Sequence, residues 1–151
     1  MIYGIIAAVI VIADFVTKFF IKNNIAFGDV FFTVPGLVDF TYVRNRGAAF
    51  SMFSGRVSVL SVVSIAFCVG VIAYWFIKKP KHPLLCSALS MMFAGALGNA
   101  IDRVFYGFVV DFIAVKFIDF PVFNIADMAI TIGAALIIIY VIFFDRNEKN
   151  G

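Results

Sequence analysis

The chain has 151 residues, of which 64% are hydrophobic and 14% are charged, and its mean hydropathy is +1.07. Ordinary soluble domains contain about 25% charged residues, so this composition excludes a soluble globular protein. The net charge of +3 has no patterned basic face, and we expect no nucleic-acid partner. The sequence predicts a polytopic membrane protein with a single domain over residues 1–151.

Four apolar runs are long enough to cross a bilayer, which takes about 20 residues. They are Ile2–Ile21, Val57–Ile77, Leu84–Ile101 and Ile125–Phe144. The first run lacks a basic start and a small-x-small cleavage site, so we expect a retained helix and not a cleaved signal peptide. The predicted fold class is a membrane all-α bundle of four transmembrane helices.

Basic residues predict the orientation of the spans. Three lysines fall within Lys78–His82, between the second and third runs, and Arg146 and Lys149 follow the fourth. Cytoplasmic loops carry the excess of Lys and Arg, and aromatic residues such as Tyr74 and Trp75 mark the interface. Both termini are therefore expected to be cytoplasmic.

The two connections on the opposite side are long. Residues 22–56 and 102–124 are rich in aromatic and β-branched residues, which favour strands. Pro35 and Gly36 indicate a turn in the first connection, and Pro121 precedes the last run. We expect a small extracytoplasmic β-sheet, or cradle, at the membrane face.

Polar residues gather at the outer ends of the spans and on the connection between the third and fourth. They are Asp14, Lys18, Asn99, Asp102, Arg103, Asp111, Asn124 and Asp127. An Asp at the centre of a span costs on the order of 3 kcal/mol, and less near the ends. Acids at one interfacial depth favour chemistry on a molecule in the outer leaflet over ion-coupled transport, which uses sites near mid-bilayer.

Structural roles are also expected for several of these residues. Asp14 and Lys18 are four apart, as in an ion pair that fixes helix packing. Asn124 is placed to cap the last helix, with Asp127 in its first turn. Asp119 precedes Pro121 and is predicted to be solvated.

Glycine and cysteine residues in and near the third run are expected to have packing roles. Gly95 and Gly98 are expected to let a neighbouring helix approach closely. His82 and Cys86 are four apart, as a thiol–imidazole dyad would require, but no third residue orients them. We therefore expect Cys86, like Cys68, to be a small buried hydrophobe.

Four motifs follow one another along the chain: an Asp in the first run, then NRGAAFS, then GNAIDR with VVDF, and finally FNIAD. In this order they resemble the lipoprotein signal peptidases, membrane aspartyl proteases also called signal peptidase II. The likeness covers essentially the whole chain. Each motif alone is weak, but the ordered set is specific.

The resemblance implies roles for individual residues. The catalytic pair corresponds to Asp111 of VVDF and Asp127 of FNIAD, whereas Asp119 matches no motif position. The supporting or substrate-binding residues correspond to Asp14, Asn45, Asn99, Asp102, Arg103 and Asn124, with Lys18 as the partner of Asp14. No metal or other cofactor is expected, because the chain has a single His and no ordinary ligand cluster.

The implied reaction removes the signal peptide from a diacylglyceryl-modified prolipoprotein, on the amino side of the lipidated cysteine. Two neighbouring carboxylates that share one proton are able to activate a water molecule and protonate the products. The implied setting is the bacterial plasma membrane, with the site at the extracytoplasmic face. Expected partners are the prolipoproteins, membrane lipid and a globomycin-type inhibitor, and the enzyme is expected to be monomeric.

Two other functions are open from the residues alone. A small four-span ion-coupled transporter would use Asp14 or Asp127 for coupling, with short loops and acids at mid-span. A non-catalytic assembly factor would bind a partner through its outer connections and would tolerate loss of Asp111. The long polar outer connections favour the protease.

Overall fold

The structure, a computed structural model, describes residues 1–47 and 55–144. Its elements are α1 (Ile2–Asn24), β1 (Val30–Val34), β2 (Val38–Asn45), α2 (Val57–Lys78), α3 (Pro83–Tyr106), β3 (Val109–Val115) and α4 (Ile125–Phe143). All four helices are long and apolar enough to span a membrane. With the small sheet, this confirms the predicted fold class. The last four residues of NRGAAFS, and Arg146 and Lys149, lie outside the described residues.

The helices end where the local backbone requires it. Pro83 begins α3 at a position where its missing N–H is not needed, and Gly107 ends the helix with φ 71°. The sequence placed the end of the third span at Ile101, but α3 continues to Tyr106. The polar residue Asp102 did not stop the helix, because its carboxylate lies inside the bundle and not against lipid.

α3 is the central helix of the bundle and packs against α1, α2 and α4. Over half of its apolar window is buried, 56%, against 22% or less in each of the others. Close contact depends on glycine, as predicted: a Cβ on Gly95 would collide with the backbone oxygen of Ala126, and one on Gly98 would lie 2.6 Å from Asp14 Oδ2.

The three strands form one antiparallel sheet in the order β1-β2-β3. The predicted turn at Pro35–Gly36 joins β1 to β2, with Gly36 at φ 73°. Val43 of β2 pairs with Asp111 of β3, and the register shifts between Phe40 and Val43. Such a bulge redirects the side chains that follow it, and it lies immediately before the part of β2 that reaches Asp111.

The inner face of the sheet packs on the C-terminal end of α1. Ile21 of α1, Tyr42 of β2 and both Val110 and Phe112 of β3 form one buried cluster. Alternate residues of a strand point to opposite faces, so the apolar neighbours of Asp111 anchor β3 while Asp111 itself faces away from this cluster.

A buried ammonium group joins α1 to α3. Lys18 is 3% exposed, and its Nζ lies 2.7 Å from Asp14 Oδ2 and 3.2 Å from Asp102 Oδ2. It also donates to Asn99 Oδ1 over 3.0 Å. An ammonium has three donors, so all three have acceptors here, and the expected Asp14–Lys18 ion pair is confirmed.

The two carboxylates of this cluster also hold backbone donors. Asp14 Oδ1 accepts from Ala126 N at 2.9 Å, in the first turn of α4. Asp102 Oδ2 accepts from Val110 N at 3.0 Å. The cluster thereby fixes the start of α4 and strand β3 relative to α1 and α3.

Replacing Gly95 with Ala is expected to destabilise the protein by about 1–3 kcal/mol, because the added methyl group overpacks the α3–α4 contact. The measurement is thermal unfolding in detergent. Gly70→Ala is the matched control, since Gly70 lies in α2 with nothing near its Cβ position. Equal stability of the two variants would contradict the close contact.

Replacing Lys18 with Met is expected to cost about 3–5 kcal/mol of unfolding free energy, because two buried carboxylates lose their counter-charge. Thermal unfolding in detergent measures the loss. Lys22→Met, one turn later and partly exposed, should cost far less. Adding Asp14→Asn to Lys18→Met should restore part of the stability, and a failure to do so would contradict a charge effect.

Candidate active site

Asp111 of β3 and Asp127 of α4 line the same cavity, which has a volume of about 500 Å³. Asp111 is 1% exposed. Fifteen residues separate the two aspartates along the chain, and the return of the chain from β3 to the start of α4 brings them together. The cavity therefore contains two acids, as a shared-proton mechanism requires.

The first turn of α4 fixes Asp127 through the predicted cap. Asn124 Oδ1 accepts from Asp127 N at 2.9 Å, and Asp127 Oδ2 accepts from Asn124 N at 3.2 Å. These two bonds form a reciprocal capping arrangement.

The side-chain amide of Asn124 connects the two acids. Asn124 is fully buried, and its Nδ2 donates to Asp111 Oδ1 at 2.7 Å and to Asn99 Oδ1 at 3.1 Å. Its oxygen is already occupied by Asp127 N. One residue therefore caps the helix that carries Asp127 and holds the carboxylate of Asp111.

Asn45, at the end of β2, donates to the other oxygen of Asp111, Oδ2, at 2.8 Å. Asn45 Oδ1 accepts from Gly47 N at 2.9 Å, which leaves only the NH₂ group free to face the acid. Both oxygens of Asp111 thus receive an amide N–H from a side chain with a fixed orientation.

Asn99 links Asp127 to the buried ammonium. Asn99 Nδ2 donates to Asp127 Oδ1 at 2.7 Å, while its oxygen accepts from Lys18 Nζ. Hydrogen bonds in such a chain polarise one another. The positive charge of Lys18 therefore strengthens the bond that Asn99 makes to Asp127, although the ammonium itself does not line the cavity.

Arg103 lies at the cavity wall and ties α3 to the end of the β2 segment. Its guanidinium donates to Asn99 O at 3.4 Å and to Gly47 O at 3.2 Å. Both of these acceptors are backbone oxygens, so within residues 1–47 and 55–144 no bonded carboxylate neutralises the charge of Arg103. It is available to a negative group that forms in the cavity.

The surroundings of Asp111 raise its pKa from 3.8 to about 7. Burial is the main cause, since it removes water from the charged form, and the charge of Asp127 adds to it. The bonds from Asn45 and Asn124 favour the charged form but do not outweigh these effects. Asp111 is therefore able to hold a proton near neutral pH.

Apart from Thr131, the rest of the cavity is apolar, and it extends along α4. This part of the lining consists of Val109, Phe120, Pro121, Val122, Phe123, Met128, Ile130 and Ile132. Phe123 is held by backbone bonds to Ile113 of β3. Sequence analysis did not single out residues 120–123 as lining, because aromatic and β-branched residues in a connection carry no positional signal.

The polar residues named from the motifs fall into two groups. Lining the cavity are Asn45, Asn99, Arg103, Asp111 and Asp127. Behind this wall are Asp14, Lys18, Asp102 and Asn124, all buried. Lys18 and Asn124 bond lining residues directly, and Asp14 and Asp102 are connected to the wall through Lys18. Asp119 is exposed, as predicted, and does not line this cavity.

His82 and Cys86 do not form a dyad. The thiol of Cys86 lies 3.2 Å from Pro80 O, and the His82 ring packs against Tyr140 and Phe144. Both residues belong to the N-terminal end of α3, whereas the cavity lies at its C-terminal end. Among the described residues, no group of three or more His, Cys, Asp or Glu is arranged to hold a metal ion.

Comparisons with known proteins agree with the motif order. Residues 6–143 match the protein family described as Signal peptidase (SPase) II. A lipoprotein signal peptidase of Lactobacillus johnsonii is 40% identical over 97% of this chain and 95% of its own length. One from Staphylococcus aureus is 42% identical over 97% of this chain and 91% of its own length.

Two solved structures described as bacterial membrane enzymes have the same fold. One has a TM-score of 0.88 at 39% identity and covers 93% of this chain and 87% of its own. The other has a TM-score of 0.84 at 39% identity and covers 95% of this chain and 93% of its own. These matches do not favour the transporter alternative. The chain is a multi-pass membrane protein, and it belongs to the signal peptidase II family of proteases.

Proposed function

We propose that this protein is an aspartic endopeptidase that removes the signal peptide from diacylglyceryl-modified prolipoproteins, cutting on the amino side of the lipidated cysteine. The observation that carries the proposal is the bridge made by Asn124, which caps the helix of Asp127 and bonds Asp111. Family membership supplies the substrate class. The paired acids supply the type of chemistry.

In the proposed mechanism Asp127 is the charged acid and Asp111 the protonated one. Asp127 accepts from Asn99 and lies in the first turn of α4, at the polar end of the cavity. It takes a proton from a water molecule that attacks the scissile carbonyl. Asp111 donates its proton to the oxygen that becomes negative, and a proton then passes to the leaving amine.

The lining suits a substrate that is held in the membrane. An apolar wall along α4 accommodates the signal helix or the acyl chains, and the acids lie at its polar end. With the basic turn Lys78–His82 in the cytoplasm, the acids face the extracytoplasmic side and the N-terminus is cytoplasmic. We further propose that the enzyme acts as a monomer and that a globomycin-type inhibitor occupies the same cavity.

Asp111→Asn and Asp127→Asn are each expected to lower the cleavage rate of a lipidated prolipoprotein by at least 10³-fold, because each removes one proton carrier of the pair. The measurement is signal-peptide release by purified enzyme in detergent or lipid. Asp29→Asn is the matched control, since Asp29 is exposed and outside the cavity. Full activity of either cavity variant would refute the paired-acid mechanism.

A second arm of the same assay compares one substrate with and without its diacylglyceryl group. The lipidated form should be cleaved and the unmodified form should not, because the lipid places the scissile bond at the depth of the acids. Equal cleavage of both forms would leave a protease of a different specificity.

The rate is expected to fall as the pH rises through about 7. Asp111 has a raised pKa, so it is protonated below that pH and loses its proton above it. Without that proton the pair has no acid for the forming oxyanion, and kcat/KM should decrease about tenfold per pH unit on this side. The measurement is kcat/KM between pH 5 and 9.

The control for this profile returns enzyme from pH 9 to pH 6 before the assay. Recovered activity shows that the loss was a titration and not unfolding. A constant rate from pH 6 to 9 would contradict the role of Asp111 as the acid.

A further inference from the structure

A second cavity, of about 590 Å³, opens beside the first. The two cavities share Asn45 and Asp111, together with Phe120, Pro121 and Val122. A substrate peptide that passes Asp111 from one cavity therefore enters the other. The first cavity is the one already assigned to the membrane-embedded part of the substrate.

The second cavity differs from the first in its charge. Its lining includes the exposed side chains of Arg44, Arg46 and Asp119, and it does not follow α4. Two guanidinium groups and one carboxylate leave an excess of positive charge at its wall. An apolar lipid chain would have to remove water from these groups, so the cavity suits a polar, water-soluble segment.

Arg44 presents its charge from a fixed position. Its Nε donates to Tyr42 Oη at 2.9 Å, and its guanidinium carbon lies 5.1–5.3 Å from the ring centroids of Phe27, Tyr42 and Phe108. These rings hold the guanidinium by cation–π contact. A charge held in this way needs no ordering when a ligand binds.

Neither arginine is neutralised within residues 1–47 and 55–144. The salt bridges among these residues are made by Lys18 and Lys116, and none involves Arg44 or Arg46. Both charges therefore remain available to an acidic or hydrogen-bonding ligand in the second cavity.

We propose that the second cavity binds the first residues of the mature lipoprotein, those that follow the lipidated cysteine, and that it selects against basic residues there. This inference rests on the proposed function. The signal helix and the acyl chains belong in the apolar cavity, so the soluble part of the substrate has to leave the acids by the polar one. The excess positive charge then favours acidic over basic side chains just after the cysteine.

The test uses two lipidated peptides that differ only at the second to fourth residues of the mature segment, with Glu in one and Lys in the other. We expect the wild-type enzyme in neutral-lipid nanodiscs to prefer the Glu peptide by about fivefold in kcat/KM, the size of an exposed charge pair. Arg46→Glu should abolish or reverse this preference, and Arg46→Gln should reduce it. Added salt should weaken the wild-type preference.

Arg56→Glu is the matched control, because Arg56 is exposed on the same side of the membrane and lies outside the cavity. It should keep the wild-type preference. Equal kcat/KM for the two peptides, or the same change of preference in Arg56→Glu, would overturn the inference.

Repeating the assay in anionic nanodiscs tests a different occupant, the headgroup of a phospholipid. If Arg46→Glu slowed both peptides equally, and only in anionic lipid, the arginines would bind lipid and the inference would be wrong. If neither peptide were cleaved by the wild-type enzyme in any lipid, the proposed function itself would fail. Cleavage of both peptides at equal rates would refute the proposed role of the second cavity and leave the proposed function intact.

Discussion

The cost of removing a carboxylate from water governs this structure. Asp14, Asp102 and Asp111 are each 4% exposed or less, and each keeps its position because fixed donors replace the lost water. Lys18 bonds the first two with a single ammonium, whereas within residues 1–47 and 55–144 Asp111 has amide donors and no ion pair. That difference distinguishes Asp111 from Asp14 and Asp102. Asp14 and Asp102, which are ion-paired with Lys18, join the helices of the bundle. Asp111 has no such partner among the described residues, and its pKa is raised to about 7, in the range in which proton transfer is useful.

The same donors also determine where the two acids of the cavity meet. The apolar residues of β3 anchor the strand on α1, and the alternation of the strand turns Asp111 towards α4. Asp14 holds the first turn of α4 through Ala126 N. Asn124 accepts from Asp127 N and donates to Asp111, and so links α4 to β3. The side chains of Asn45, Asn99 and Asn124 are each hydrogen-bonded through both the oxygen and the nitrogen of the amide. A shift of α4 by a fraction of a turn would break the bond from Asn124 to Asp111 and the bond from Ala126 N to Asp14 together.

In the proposed reaction, the position of the two cavities matches the depth of the scissile bond in the membrane. A lipidated substrate brings its scissile bond to the boundary between hydrocarbon and water, where an apolar cavity and a polar cavity share Asp111. Because the apolar and polar linings are separate, the proposed acid pair lies where the substrate changes from apolar to polar.

The amino-acid sequence alone determined the four spans, the turn at Pro35–Gly36, the cap at Asn124 and the ion pair of Asp14 with Lys18, because each depends on residues close together in the chain. The ordered motifs also indicated which polar residues would gather, through resemblance. Only the tertiary structure decided that Lys18 reaches Asp102 and Asn99, that Asn124 bonds Asp111, and that residues 120–123 line the cavity. It also showed that α3 continues past Ile101, since the carboxylate of Asp102 is buried inside the bundle. Spacing along a chain specifies contacts within a helix or turn, whereas contacts between distant elements depend on how their packed faces meet.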